Sequence, residues 1–173
     1  LTIQNCEVSS GSISGYDAIG GLIGRGYHLN HLKIIDCKNY ADITAIGKAG
    51  GIGGYMNTDN KTTSTIELQN LINYGEVTVS KIGTSEGTSE GTCGGILTRY
   101  ENYFNAIVKN CINYGEIETT TAKSEKIGGI FMSGYHNVGT VKMFENNFNY
   151  GKIKTSQGYI DNPQNHGVPT PTE

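Results

Sequence analysis

The chain of 173 residues contains no Trp, only three Pro and only two Arg. No apolar run approaches the roughly 20 residues that a membrane-spanning helix needs. Helix-building Ala, Leu, Glu and Lys are few beside Gly, Asn, Thr, Ile and Ser, so a helical fold is disfavoured. The net charge of -3 gives no reason to expect a nucleic acid partner. What remains is a β-rich, turn-rich chain long enough to bury a core as one domain.

One eight-residue phrase recurs along the whole chain. Its clearest copy reads Asn110-Cys-Ile-Asn-Tyr-Gly-Glu-Ile117, and related copies open at positions 5, 36, 70 and 146, the first with one inserted residue. The intervals between copies are 31, 34, 40 and 36 residues. A second phrase follows in four of the five units, as Ile19-Gly-Gly-Leu-Ile-Gly24, Ala49-Gly-Gly-Ile-Gly-Gly54, Cys93-Gly-Gly-Ile-Leu-Thr98 and Ile127-Gly-Gly-Ile-Phe-Met132. Periods of this length are typical of solenoids and propellers.

Each unit holds three short β-like pieces separated by turns, which cannot bury a face without neighbouring units. We therefore predict an all-β fold, a parallel β-helix of about five coils with three short strands per coil. The repeat domain covers residues 1–160, in units of about 1–31, 32–64, 65–105, 106–140 and 141–160. Residues 161–173 are predicted to be a tail or linker, and 81–92 a solvated loop. A propeller is the alternative, but its four strands per unit and hairpin turns are not visible.

Four columns of apolar residues at fixed offsets predict the core. They are Cys6, Cys37, Leu71, Cys111 and Asn147; Ile3, Ile34, Leu68, Val108 and Phe144; Ile13, Ile43, Val77, Ile117 and Ile153; and Leu22, Ile52, Ile96 and Ile130. A column of Asn39, Asn73, Asn113 and Asn149 is expected to turn the chain with φ > 0, together with the glycines Gly75, Gly115 and Gly151. The stacked Asn amides are also expected to hydrogen-bond from coil to coil.

The phrase Gly21-Leu-Ile-Gly24 resembles the signature of the GLUG repeat. Such repeats occur in bacterial surface adhesins and in the non-catalytic regions of immunoglobulin A1-cleaving metallopeptidases. The resemblance covers residues 1 to about 155, although the strict signature stands in the first unit alone. It implies an exported, surface-displayed repeat region and carries no catalytic residues over to this chain.

Tyrosines supply the candidate ligand-binding residues. Tyr27, Tyr55, Tyr100 and Tyr135 each follow a Gly-Gly phrase and are expected to form a ladder of exposed rings that binds glycan or protein. Tyr40, Tyr74, Tyr114 and Tyr150 form a second expected ladder. For both ladders the alternative is a structural one, in which stacked rings shield turns and sheet edges.

The remaining polar side chains favour structural interpretations. The cysteines are expected to be buried free thiols, with a Cys6–Cys37 disulfide as the alternative. His28 and His31 lack further ligands, so no metal site and no cofactor are predicted. A column of Asp42, Glu76 and Glu116, followed by Lys152, is expected to be a charged solvated face, with weak calcium binding as the alternative. We expect Lys152 and Lys154 to offset Glu116 and Glu118.

The predicted function is that of a non-catalytic structural or adhesive segment of a secreted bacterial cell-surface protein. Its expected partners are a host or microbial glycan or surface protein and neighbouring domains of a longer chain, because residues 1–6 begin inside a repeat with no signal peptide. The alternatives are a stalk within a large exported peptidase and a carbohydrate-active β-helix. The last would need clustered acids and basic residues, but the acids are scattered and the only arginines are Arg25 and Arg99.

Overall fold

A computed structural model describes residues 1–57, 64–80, 91–101, 105–120, 127–132 and 141–160. Within these ranges the chain forms 22 β-strands and no helix. Coil 1 contains β1 (Thr2–Gln4), β2 (Glu7–Gly15), β3 (Ala18–Gly20) and β4 (Ile23–Gly26). Coil 2 contains β5 (His31–Ile35), β6 (Lys38–Ala45), β7 (Lys48–Gly50) and β8 (Gly53–Asn57).

In coils 3 to 5 the recurring phrase forms two short strands in place of one long strand, and the described part of coil 5 ends in β22. Coil 3 contains β9 (Thr65–Gln69), β10 (Ile72–Asn73), β11 (Val77–Val79), β12 (Thr92–Gly94) and β13 (Leu97–Glu101). Coil 4 contains β14 (Asn105–Lys109), β15 (Ile112–Asn113), β16 (Ile117–Thr119), β17 (Ile127–Gly128) and β18 (Phe131–Met132). Coil 5 contains β19 (Val141–Glu145), β20 (Phe148–Asn149), β21 (Ile153–Thr155) and β22 (Gly158–Tyr159).

Equivalent strands of successive coils pair in parallel and build four sheets. Sheet A is β1-β5-β9-β14-β19, sheet C is β17-β12-β7-β3 and sheet D is β18-β13-β8-β4. Sheet B contains the strands of the recurring phrase, from β2 and β6 through to β20 and β21. Among the described strands, only β22 pairs antiparallel, and its partner is β21. The predicted all-β parallel β-helix is therefore confirmed, with sheets C and D on either side of the Gly-Gly bend where three sheets were expected.

The predicted apolar columns form the interior. Ile34, Leu68 and Val108 are fully buried, and so are Ile43, Val77, Ile117 and Ile153. Two clusters share the interior, one containing Leu68, Cys111 and Ile96, the other containing Ile43, Cys93 and Ile117. Coil 1 repeats the same columns with less cover, since its Ile3, Ile13 and Leu22 are only partly buried.

The inserted residue of the first unit is accommodated in β2. Val8 pairs with Asn39 and Gly11 with Ala41, so the register shifts between these two pairs and the strand bulges by one residue. Beyond this shift the columns realign, because Ile13 faces Ile43. Residues 81–90 of the predicted loop lie outside the described residues. The predicted tail, residues 161–173, lies outside them too.

Candidate binding surface

Within the described residues, the ladder expected from Tyr27, Tyr55, Tyr100 and Tyr135 is out of register, although the rings of Tyr27 and Tyr55 meet edge to face at 5.8 Å. Tyr55 pairs in register with Arg25 and Arg99, and Tyr100 pairs with Met56. Tyr55 is also only 6% exposed, so its ring is not open to a ligand, whereas Tyr27 is 51% exposed. The side chain of Tyr100 and the whole of Tyr135 lie outside what the structure describes.

Tyr55 instead lies at the centre of a group of charged side chains. The guanidinium carbon of Arg25 lies 5.5 Å from the Tyr55 ring centroid and 5.3 Å from that of Tyr27, while the Lys48 Nζ lies 5.3 Å from the Tyr55 centroid. Asp17 pairs with both Arg25 and Lys48. Cation–π contact and ion pairing together explain how the buried Lys48 ammonium is tolerated. This group ties coil 1 to coil 2.

The other tyrosine column forms a continuous stack on the outer face of sheet B. The ring centroids of Tyr40 and Tyr74 are 4.7 Å apart, those of Tyr74 and Tyr114 are 5.2 Å apart, and those of Tyr114 and Tyr150 are 5.4 Å apart. The planes differ by 6°, 9° and 14°. Such spacing follows from the distance of about 4.8 Å between adjacent strands. The four side chains remain 36 to 56% exposed.

The strip contains more apolar surface than the rings alone. Two residues before each Tyr of coils 3 to 5 stand Ile72, Ile112 and Phe148, paired in register on β10, β15 and β20. Phe148 is exposed, and its ring stacks on Tyr150 at 6.2 Å. We call the four tyrosines with Ile72, Ile112 and Phe148 the aromatic strip. Because the rings cover one another's faces, the strip presents mainly ring edges and phenol hydroxyls to solvent.

An acidic column runs beside the strip, two residues beyond each tyrosine. Asp42 and Glu76 are exposed and Glu116 is half-buried, and the Asp42 Oδ1 accepts a hydrogen bond of 2.9 Å from the Glu76 backbone N–H. Among the described residues no cation pairs with any of these three. In the next column, Lys154 Nζ lies 2.8 Å from Glu118 Oε1, which confirms one of the expected offsets. This hydrogen bond and ion pair raise the pKa of Lys154. Lys152 Nζ instead lies over the Tyr159 ring.

The buried asparagine column confirms the expected amide ladder. The Nδ2 of Asn39 donates to the Oδ1 of Asn73 at 2.9 Å, Asn73 donates to Asn113 at 2.8 Å, and Asn113 donates to Asn149 at 2.7 Å. Each Nδ2 also donates to the carbonyl two residues later, as from Asn113 to Gly115 at 2.8 Å. The ladder is fully enclosed, so it supports the corner behind the tyrosines and cannot reach a ligand.

Positive φ was expected for the buried asparagine column, but the structure shows it in a different column. The residues that open each phrase adopt φ between 53° and 56°, namely Asn5, Asp36, Asn70, Asn110 and Asn146. Their side chains form a second, exposed ladder, in which Asn70 donates to Asp36 at 2.7 Å and Asn110 donates to Asn70 at 3.0 Å. This exposed ladder was not predicted from the sequence, although Asn or Asp recurs at the start of every phrase and tolerates positive φ.

All four cysteines are free thiols, so the alternative of a Cys6–Cys37 disulfide is not realised. The Cys37 Sγ accepts a hydrogen bond of 3.4 Å from the Cys6 backbone N–H. Burial raises the pKa of Cys37 and Cys93, and raises that of Cys111 to about 12. A thiol held neutral in this way is a poor nucleophile, which favours a packing role.

The His, Cys, Asp and Glu side chains of the described residues form no metal-binding group. No group of three or more His, Cys, Asp or Glu side chains in these ranges could hold a metal ion. His28 and His31 are both exposed, and the Nδ1 of His31 lies 3.0 Å from the Thr65 Oγ1. In the same part of the chain, no helix has the length and apolar character that a membrane crossing requires.

The fold and the surface together define this chain as a parallel β-solenoid with an exposed aromatic strip along one face. No family model, curated protein or solved structure matches the sequence.

Proposed function

We propose that the chain is a non-catalytic structural and adhesive segment of a secreted bacterial cell-surface protein. Its aromatic strip is the contact surface for a glycan or a protein. The observation that carries this proposal is the exposed stack of four tyrosines extended by Ile72, Ile112 and Phe148. An ordered strip of this kind offers a large contact area whose rings lose little conformational freedom on binding.

Two further features support an extracellular structural role. The units stack through in-register core columns and amide ladders, which is how solenoids build extended binding surfaces. The GLUG-like phrase Gly21–Gly24 points to displayed repeat regions of bacterial adhesins.

The test is binding of the purified chain to arrays of glycans and bacterial or host surface proteins, with Tyr74→Ala as the probe variant. Removing the Tyr74 ring interrupts the stack, so binding to any partner of the strip should fall by about tenfold. Tyr16→Ala is the matched control, because Tyr16 is 67% exposed on coil 1 and stands outside the strip. Equal binding by the two variants, with both still folded by circular dichroism, would contradict the proposal.

A further inference from the structure

The aromatic strip and the acidic column lie side by side and form one surface that is both apolar and negatively charged. Asp42, Glu76 and Glu116 stack on three successive coils, about 4.8 Å apart, where like charges repel. Two half-buried acids of sheets A and B do have cationic partners, in the ion pairs Lys33–Glu67 at 3.0 Å and Lys154–Glu118 at 2.8 Å. The three carboxylates of the column form no ion pair within the described residues, although Lys154 in the adjacent column acts on Glu116 electrostatically. A column of this kind beside exposed apolar rings is complementary to a surface that is both cationic and apolar.

The lateral geometry suits long basic side chains. In coil 2 Tyr40 and Asp42 lie two residues apart on the same face of β6, which is a distance of roughly 6.6 Å. In coils 3 and 4 the same two-residue step crosses the bend between the two strands of the phrase. The apolar stem of a Lys or Arg side chain spans such a distance, so it can lie across a ring edge while its charged group reaches the carboxylate. A neutral sugar would leave the carboxylates unpaired.

The axial spacing indicates the secondary structure of the partner. An α-helix rises about 1.5 Å per residue, so basic residues three or four apart recur roughly every 4.5 to 6 Å. That range contains the coil spacing of about 4.8 Å. An extended strand presents side chains on one face roughly every 6.6 Å, which falls out of step with the coils after two residues.

We infer that the aromatic strip with its acidic column docks a basic amphipathic α-helix of a partner protein, lying along the solenoid axis with one Lys or Arg per coil. This inference rests on the proposed function, because it names the partner of the same surface. Opposite charge accelerates encounter, and burial of the Tyr, Ile and Phe surface holds the complex.

The test uses the full chain and a fluorescent peptide of about 16 residues, enough for four helical turns, with Lys at three- and four-residue spacing beside a row of Leu. A peptide of the same composition with Lys distributed around the helix is the ligand control. Anisotropy should show that the striped peptide binds at least about tenfold more tightly than its control. Glu76→Gln should weaken its binding about threefold at low salt and much less at high salt. Glu145→Gln, an exposed carboxylate on sheet A, should have no effect.

Equal binding of the two peptides, equal effects of Glu76→Gln and Glu145→Gln, or no peptide binding would each overturn the inference. A chitosan oligomer and a neutral oligosaccharide separate this failure from that of the proposed function. If Tyr74→Ala abolishes binding of either sugar while neither peptide binds, the adhesive strip stands and the helical partner is wrong. If Tyr74→Ala weakens binding of none of the peptides, sugars or array partners, both proposals are wrong. Unfolding curves of each variant confirm that the fold is intact.

Discussion

Asn113 shows how one side chain connects three coils. It donates to the Gly115 carbonyl and to the Asn149 Oδ1, and it accepts from the Asn73 Nδ2, all while fully buried. Asn113→Ala removes these bonds and leaves the buried amides of Asn73 and Asn149 without one partner each. We expect the free energy of unfolding to fall by about 2 to 4 kcal/mol, because unsatisfied buried polar groups cost about 1 to 3 kcal/mol each. Urea denaturation measures the change.

Asn110→Gly is the matched control for Asn113→Ala. It removes the amide of the exposed ladder, whereas Gly adopts the φ of 53° found at this position without strain. Its unfolding free energy should change by less than about 1 kcal/mol. A loss equal to that of Asn113→Ala would show that enclosure of the inner ladder has no energetic importance.

Gly115 is required for space. A β-carbon there would overlap the carbonyl oxygen of Gly75 on the preceding coil, and the same relation holds between Gly151 and Gly115. The contact is with backbone, which cannot rotate away. Gly115→Ala should therefore destabilise the protein by about 2 kcal/mol or more, since overpacking commonly costs about 1 to 3 kcal/mol. An unchanged urea midpoint would show that the coils separate more easily than their hydrogen bonds indicate.

The buried thiols make stability depend on alkaline pH. In the unfolded chain Cys111 ionises near pH 8.5, whereas in the folded chain its pKa is about 12. Between these values the folded state binds more protons, so stability is complete below the unfolded pKa and falls as pH rises, by up to about 1.4 kcal/mol per pH unit for each such thiol. Urea midpoints measured from pH 7 to 11 should decline less steeply for Cys111→Ala. Parallel curves would contradict the burial of this thiol.

At the scale of the strand, inward and outward positions alternate along the recurring phrase. Ile117 on β16 is fully buried, whereas Ile112 on β15 faces outward and is half-buried. Ile117→Asp places an unpaired carboxylate in the core and should abolish cooperative unfolding by heat. Ile112→Asp introduces the same group on the outer face and should leave a cooperative transition. If both variants unfold alike, the alternation in sheet B is wrong.

The accuracy of the sequence predictions follows the regularity of the strands. Sheet B was predictable because Asn, Tyr and the closing Ile keep fixed offsets, and pairs such as Ile117 with Ile153 confirm them. In sheet D the offset from the Gly-Gly phrase to the tyrosine varies, since Tyr27, Tyr55 and Tyr100 follow Ile19, Ala49 and Cys93 by 8, 6 and 7 residues. A shift of one residue along a strand turns a side chain to the other face of the sheet. Tyrosines at similar but unequal offsets therefore do not align into one column.

The exposed asparagine ladder shows a different limit. Asn and Gly both tolerate positive φ, so composition alone did not identify which Asn of the phrase adopts it. Burial decides between them. The inner Asn73 lies in strand β10, where its amide reaches the neighbouring asparagines on both sides. The left-handed backbone conformation is adopted by Asn70, whose side chain stays at the surface. Only the stacked structure shows which of the two amides is enclosed.

At the scale of the whole molecule, the two ends of the described solenoid differ. At the end of coil 5, β22 pairs antiparallel with β21, and Ile160 packs against the cluster containing Ile153. In coil 1 the corresponding inward residues, such as Ile3 and Leu22, are only partly buried. Because each coil contacts mainly its neighbours, stability should be highest in the middle coils and lowest in coil 1.

Removing coil 1 tests this one-dimensional organisation. A variant beginning at His31 loses β1 to β4 but keeps the core columns and the tyrosine stack of coils 2 to 5, so it should fold with a parallel β spectrum and a lower urea midpoint. Its strip should bind a partner as the full chain does, because Tyr40 to Tyr150 remain. Native-state hydrogen exchange of the full chain should agree, with amides of β11 and β16 exchanging more slowly than those of β1 and β4. If the shortened chain fails to fold, coil 1 is part of one indivisible cooperative unit, and the coils are not additive.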